Sequence, residues 1–179
     1  MINPFKNAIQ IRKKTLKLGF ENHIKEIFTA ETKNWKIDIS DDLDAISFYT
    51  YTPNFWEGVR NILQTIKEHS SGQKKVKISL IKKNVEIENE FFRLYVILIE
   101  DIGSLINAEP NKEELLKGNL KRVHKSFAGF CNWSVTARFN YNNQIIAHKL
   151  NILKDSNVIE CENLTTTIES VIHEITFYA

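Results

Sequence analysis

The chain has 179 residues, of which 42% are hydrophobic and 26% charged, the composition of an ordinary globular domain. Its formal net charge of +2 comes from interspersed lysines and acids, which gives no electrostatic case for nucleic acid or a membrane surface as partner. No apolar run approaches the roughly 20 residues that span a bilayer. Two cysteines without C-x-x-C spacing indicate a reduced compartment, so we predict a cytoplasmic location.

The N-terminal third of the chain contains helical patterns followed by strand patterns. Apolar residues at helical spacing predict helices over 4–30, which Gly19 divides into two. The alternating sequence NWKIDIS (34–40) predicts a strand, and ISFYTYT (46–52) predicts a second one. An apolar stripe behind an N-capping asparagine predicts a helix over 54–69.

Beyond this helix, the sequence contains a strong strand signal and a hairpin signal. The run FFRLYVILIED (91–101) is apolar on both faces at its end, which predicts a central strand. Asn142 and Asn143 tolerate positive φ and therefore predict a hairpin turn. The predicted elements are strands over 74–83 and 91–101, helices over 113–117 and 120–130, a hairpin over 134–153, and a helix over 162–178.

This order of elements predicts an α/β (α+β) two-layer sandwich, with a mixed, mostly antiparallel sheet covered by helices. The chain divides into an N-terminal helical segment (1–33), the sandwich (34–153) and a C-terminal helical extension (154–179), all within one compact domain. The apolar faces of the two terminal segments must be covered. We therefore expect either a protein partner or a homodimer formed through a terminal helix.

Three segments resemble the histidine-kinase-type, or GHKL, ATPases, and they follow the order of that family. The helix FWEGVRNILQTIKEHSSG and the strand after it are similar to the N-box helix and its strand. VILIEDIGSLIN resembles the strand and D-x-G-x-G turn that read adenine, and WKIDISDDLDAISF resembles the strand before the N-box helix. The resemblance covers residues 34–153 and implies the GHKL fold, with ATP and Mg²⁺ as ligands.

The resemblance implies two functional residues on the N-box helix. Glu57 and Asn61 stand at i and i+4 and share a helix face. By resemblance, Glu57 orients the attacking water and Asn61 holds Mg²⁺. A second register moves the metal position to Thr65, a weaker ligand, and retains His69. Both registers remain open, as does a plain capping role for Glu57.

The resemblance also implies a base site and a phosphate site. Asp101 accepts a hydrogen bond from the adenine amino group, and Gly103 lets the backbone approach the base. Where the family has a second glycine, this chain has Leu105, which narrows the pocket. In the phosphate lid, Gly118 is the one glycine available, and Lys121 is a candidate phosphate donor. A plain strand-ending turn is the alternative interpretation of the aspartate and glycine.

Taken together, these matches imply an ATP-binding module with an eroded nucleotide site and a regulatory role. If it is active, it is a weak Mg-dependent ATPase. The alternative is a non-enzymatic interaction or adaptor protein that kept the fold and lost the nucleotide. A third hypothesis is a small immunity or adaptor protein whose resemblance is accidental. Cys131 is predicted to be a buried thiol.

Overall fold

The computed structural model describes residues 15–29, 34–45, 53–70, 73–129, 131–152, 159–164 and 170–178. The predicted strand over 46–52 and the first part of the predicted N-terminal helices lie outside these ranges. None of the helices in the described ranges is long and apolar enough to cross a membrane. The elements are the helices α1 (Leu16–Phe28), α2 (Pro53–His69), α3 (Lys112–Leu115) and α4 (Gly118–Phe127), and the strands β1 (Lys36–Ile39), β2 (Lys75–Ile87), β3 (Glu90–Asp101), β4 (Asn132–Tyr141), β5 (Gln144–Ile152), β6 (Ile159–Leu164) and β7 (Val171–Tyr178).

These strands form one sheet in the order β1-β2-β3-β7-β4-β5-β6. β1 and β2 are parallel, and every other neighbouring pair is antiparallel. The predicted mixed, mostly antiparallel sheet is therefore confirmed. β3 lies inside the sheet between β2 and β7, as its apolar run predicted.

Two tight turns set the register of the hairpins. The predicted turn at Asn142 and Asn143 is confirmed, with φ of 51° and 59°. Glu88 and Asn89 make the same kind of turn between β2 and β3, with φ of 52° and 68°. Positive φ at both central residues matches the twist of antiparallel strands. β2 therefore continues well beyond the strand predicted over 74–83.

The helices α1, α2 and α4 pack over one face of the sheet, and two glycines set how closely they approach one another. α1 runs unbroken through Gly19, so the prediction that this glycine divides the helix is wrong. A Cβ at Gly19 would lie 2.2 Å from the Trp56 ring of α2. A Cβ at Gly58 would likewise lie 2.3 Å from the Phe127 ring of α4. Both glycines make room for an aromatic ring of the neighbouring helix.

The predicted C-terminal helix over 162–178 is wrong for the residues that the structure describes, because 162–164 end β6 and 171–178 form β7. β7 pairs with β3 on one side and with β4 on the other. Val171, His173 and Ile175 are buried at alternate positions, as a strand requires. The described residues of the predicted C-terminal extension are therefore strands, and β7 completes the middle of the sheet.

The predicted burial of Cys131 is confirmed. The residue is 2% exposed, just before β4. Burial raises the pKa of its thiol to about 12. The thiol is therefore protonated at neutral pH and packs as a small hydrophobic group.

Candidate functional site

A cavity of about 460 Å³ opens between the C-terminal end of α2, the segment after β3 and the N-terminal end of α4. Its floor is formed by residues of β4 and β7, among them Val135, Ala137 and Val171. Small-molecule sites are typically clefts of roughly 300–1,000 Å³, mostly apolar with a few polar groups. This cavity has that size and character, because apolar residues and several polar side chains line it together.

α2 contributes Thr65 and His69 to the cavity wall, the two positions of the second N-box register. They lie four residues apart and therefore share a helix face. Thr65 is half-buried, and its Oγ1 donates to the carbonyl of Asn61 at 2.8 Å. A hydroxyl that donates one hydrogen bond keeps its acceptor lone pairs, so Thr65 still offers an acceptor.

The first register stays away from the cavity, since neither Glu57 nor Asn61 is among the described residues that line it. Asn61 is only 6% exposed, and its Nδ2 donates to the carbonyl of Glu57 at 2.8 Å and to its Oε1 at 3.3 Å. Glu57 lies two helical turns, about 12 Å, before Thr65. Glu57 and Asn61 are hydrogen-bonded to each other, whereas Thr65 and His69 line the cavity. The position of the cavity therefore favours the second register.

Asp101 ends β3 in the wall of the cavity, with 0% of its surface exposed. Its Oδ1 accepts from the backbone N–H of Gly103 at 3.0 Å, and its Oδ2 accepts from the Ser104 hydroxyl. Burial raises the pKa of Asp101, while these hydrogen bonds and the charge of Arg138 act against the increase. The backbone N–H of Ser104 is a third donor to this carboxylate. Two carboxylate oxygens can accept about four hydrogen bonds, so one acceptor position remains.

The segment after β3 is fixed by β4. The Arg138 guanidinium donates to the carbonyl of Ile102 at 3.3 Å. Ile106 donates its N–H to the Arg138 carbonyl at 2.9 Å and accepts from the N–H of Asn140 at 2.8 Å. Leu105, between these anchors, lines the cavity. Its bulk occupies the wall where the family's turn has a glycine.

Gly103 packs closely against the connection from α2 to β2. A Cβ at Gly103 would lie 2.0 Å from Ser70 Oγ and 2.5 Å from the Gln73 carbonyl oxygen. Gly103 is not among the described residues that line the cavity. The observed reason for a glycine here is close packing of two backbone segments. Its contact with an adenine base stays a prediction.

The start of α4 forms the remaining wall. Gly118 lines the cavity and has φ of +54°, a conformation that glycine adopts without strain. Its neighbour Asn119 donates from Nδ2 to Glu68 Oε2 at 3.0 Å, which joins α4 to the end of α2. Lys117 also lines the cavity, whereas Lys121 is exposed and is not among the described lining residues.

No sequence motif pointed to His173, the buried polar residue of the cavity floor. Trp133 Nε1 donates to its Nδ1 at 3.3 Å, and the two rings are nearly parallel, at 6°. Burial lowers the pKa of His173 to about 3, so the imidazole is neutral at physiological pH. The signal that sequence reasoning missed was a polar residue at an inward position of an alternating strand.

The sheet is covered on one face by helices, and the cavity lies at the end of α2, beside an aspartate that ends a central strand. This is the arrangement of a histidine-kinase-like domain. The chain belongs to the family described as a histidine kinase domain observed in conflict contexts, whose model matches residues 1–178. No curated protein sequence matches the chain.

Proposed function

We propose that this protein binds ATP in the cavity and acts as a regulatory module. The observation that carries the proposal is the buried carboxylate of Asp101 in the wall of a cavity of about 460 Å³. The apolar floor suits a flat heterocycle, and a single carboxylate beside it suits an amino group. Membership of the family of histidine kinase domains in conflict contexts supports a nucleotide as the ligand.

The start of α4 supports an anionic end for the ligand. Lys117 is the N-cap residue and makes no side-chain capping hydrogen bond. The N–H groups of the first turn are therefore open to an anion, and the helix dipole favours negative charge there. Lys117 and Gly118 both line the cavity, and the Lys117 ammonium is paired with the carboxylate of Glu114, which also lines it. A phosphate chain directed at α4 would replace Glu114 as the partner of this cation.

The residues present do not fit the Mg²⁺ site that the resemblance implied. Asn61 is not among the described residues that line the cavity, so the structure does not bring its amide oxygen to a metal bound there. Thr65 stands in its place, and a neutral hydroxyl is a weaker ligand for Mg²⁺ than carboxylate oxygens. Glu57 is not among the described lining residues either, and it lies about 12 Å along the helix from Thr65, which does line the cavity. We therefore propose binding without efficient hydrolysis, which is the behaviour of a nucleotide-dependent regulator.

Thermal unfolding with ATP tests the proposal. A ligand that binds only the native state at 100 times its Kd stabilises it by about 2.7 kcal/mol. Each kcal/mol raises the Tm of a domain of this size by about 2–4 °C. We expect ATP to raise the Tm, and Asp101→Asn to reduce the shift strongly, because a donor replaces an acceptor oxygen.

Glu100→Gln is the matched control, since Glu100 is the preceding residue of the same strand and points to the opposite face of the sheet. This variant should keep the full shift with ATP. Wild type that shows no shift at millimolar ATP would contradict the proposal. A shift that survives Asp101→Asn would place the nucleotide elsewhere.

A second candidate is an adaptor protein without a ligand. It is favoured by the hydrogen bonds that Asp101 already accepts from Gly103 and Ser104 within its own turn. The tip of the β2–β3 hairpin also exposes apolar side chains, with Phe91 78% exposed and Ile87 43% exposed. Absence of nucleotide binding, together with a light-scattering mass above one chain at micromolar concentration, would favour this function. The mass of a single chain would count against a homodimer.

A further inference from the structure

His173 is placed to read the ligand, although the resemblance assigns no role to this position. It is 1% exposed and lies in the cavity floor on β7, the strand next to β3. A buried polar side chain normally has hydrogen-bond partners for its polar atoms. For His173, the partner at Nδ1 is Trp133, which leaves Nε2 for a further hydrogen-bond partner.

The partner at Nδ1 decides which nitrogen carries the proton. The Trp133 indole N–H can only donate, so His173 Nδ1 must accept. Because a neutral imidazole has one donor and one acceptor nitrogen, its hydrogen sits on Nε2. The Trp133 indole packs against the His173 imidazole with an angle of 6° between the ring planes, which helps to fix the orientation of the imidazole. His173 therefore carries an N–H donor on Nε2, in a side chain that lines the cavity.

The sheet places this donor close to the acceptor of Asp101. Asp101 pairs with Val171, and Ile99 pairs with His173, so Asp101 and His173 are diagonal neighbours on the same face. Diagonal neighbours in an antiparallel pair are about 7–8 Å apart. Both side chains line the same cavity. The cavity thus has one acceptor and one donor at neighbouring positions of the sheet.

We propose that His173 is a specificity-determining residue that donates from Nε2 to a ring nitrogen of the base, while Asp101 accepts from the amino group next to it. The inference rests on the proposed function. Adenine carries an amino group beside ring-nitrogen acceptors, whereas guanine presents an acceptor oxygen in place of that amino group. The pair formed by Asp101 and His173 therefore matches adenine and opposes guanine.

Binding of ATP, GTP, 1-deaza-ATP and 7-deaza-ATP by calorimetry tests this role, because each deaza analogue replaces one ring nitrogen with C–H. Wild type should prefer ATP to GTP and should lose roughly ten- to hundredfold in affinity for one of the two deaza analogues, as expected for a buried hydrogen bond left unmade. His173→Phe should bind ATP more weakly by a similar factor and should no longer distinguish ATP from that analogue. His173→Gln should restore part of the discrimination, since its amide both accepts and donates.

His148→Phe is the matched control, because His148 is also a buried histidine of the sheet, 6% exposed, and is not among the described cavity residues. It should keep the ATP affinity and the discrimination of wild type. Wild type that binds ATP and both deaza analogues equally well would overturn the proposal even if His173→Phe does not fold. Unchanged discrimination in His173→Phe would also overturn it. Failure of wild type to bind ATP at all would overturn the proposed function as well.

Discussion

Gly103 has two possible roles: close packing against the connection from α2 to β2, and contact with a nucleotide base. A substitution at this position distinguishes the two roles. A Cβ there would lie 2.5 Å from a backbone oxygen of Gln73, which cannot move without shifting β2. We expect Gly103→Ala to lower the free energy of unfolding by about 1–3 kcal/mol without any nucleotide present, as overpacking does. Urea denaturation measures this change.

The second clash at Gly103, with Ser70 Oγ, provides the internal control. Ser70→Ala removes this oxygen, which would lie 2.0 Å from the new Cβ. The double variant should therefore recover part of the stability that Gly103→Ala alone loses. If Gly103→Ala is as stable as wild type but binds ATP more weakly, the glycine serves the ligand and not the packing.

The charge of Asp101 makes stability depend on pH in a defined direction. Burial raises the pKa of Asp101 in the folded protein above its ordinary value of 3.8. The folded state therefore holds the proton more tightly, and the charged form disfavours folding. Stability from this residue is highest below pH 3.8 and falls as pH rises through the higher folded pKa.

Asp101→Asn carries no titrating group, so it isolates this effect. The difference in unfolding free energy between Asp101→Asn and wild type should move in favour of the variant as pH rises from about 4 towards 7. Urea denaturation at several pH values measures the difference, and Glu100→Gln again serves as control. A difference that stays constant across this range, or moves the other way, would show that burial does not dominate the titration.

At the scale of elements, the close contact between α2 and α4 makes glycine more favourable than alanine at Gly58, against the usual preference of helices. In an exposed helix interior, alanine is more favourable than glycine by about 0.8–1.0 kcal/mol. A Cβ at Gly58 would instead lie 2.3 Å from the buried Phe127 ring, so we expect Gly58→Ala to destabilise the protein by about 1–3 kcal/mol. Asn22→Ala, on the exposed face of α1, should show the ordinary small gain.

Element types were predictable where pattern and composition agreed. β3 has apolar residues on both faces, and the turn at Asn142 and Asn143 has residues suited to positive φ, so both follow from local chemistry. The prediction for the β7 segment was wrong because its apolar residues, together with those just before it in the sequence, also fit helical spacing. Its inward position is taken by a histidine, His173, which breaks the apolar alternation that indicates a strand. The sheet, and not local preference, decides this segment.

The candidate site was predictable only in part, for the same reason. Asp101 could be located because it ends a recognisable strand, and the cavity lies beside it. The choice between Asn61 and Thr65 depends on the rotation of α2 over the sheet, which helical spacing leaves open. His173 could not be found, because its neighbours in the cavity come from β3 and β4 and lie far away in sequence.

The whole molecule depends on β7 as the strand that joins its two halves. β7 lies between β3 and β4, and among the described strands it is the one that pairs with both. A chain ending at residue 169 would leave the inner edges of both strands unpaired and would uncover buried side chains such as Ile97 and Val135. We expect this truncated chain to lose cooperative unfolding and near-UV circular dichroism. Ile175→Ala, which leaves the backbone pairing intact, should fold and lose about 2–5 kcal/mol. A truncated chain that melts cooperatively close to the wild-type Tm would show that residues 1–169 fold as a unit and that β7 is dispensable.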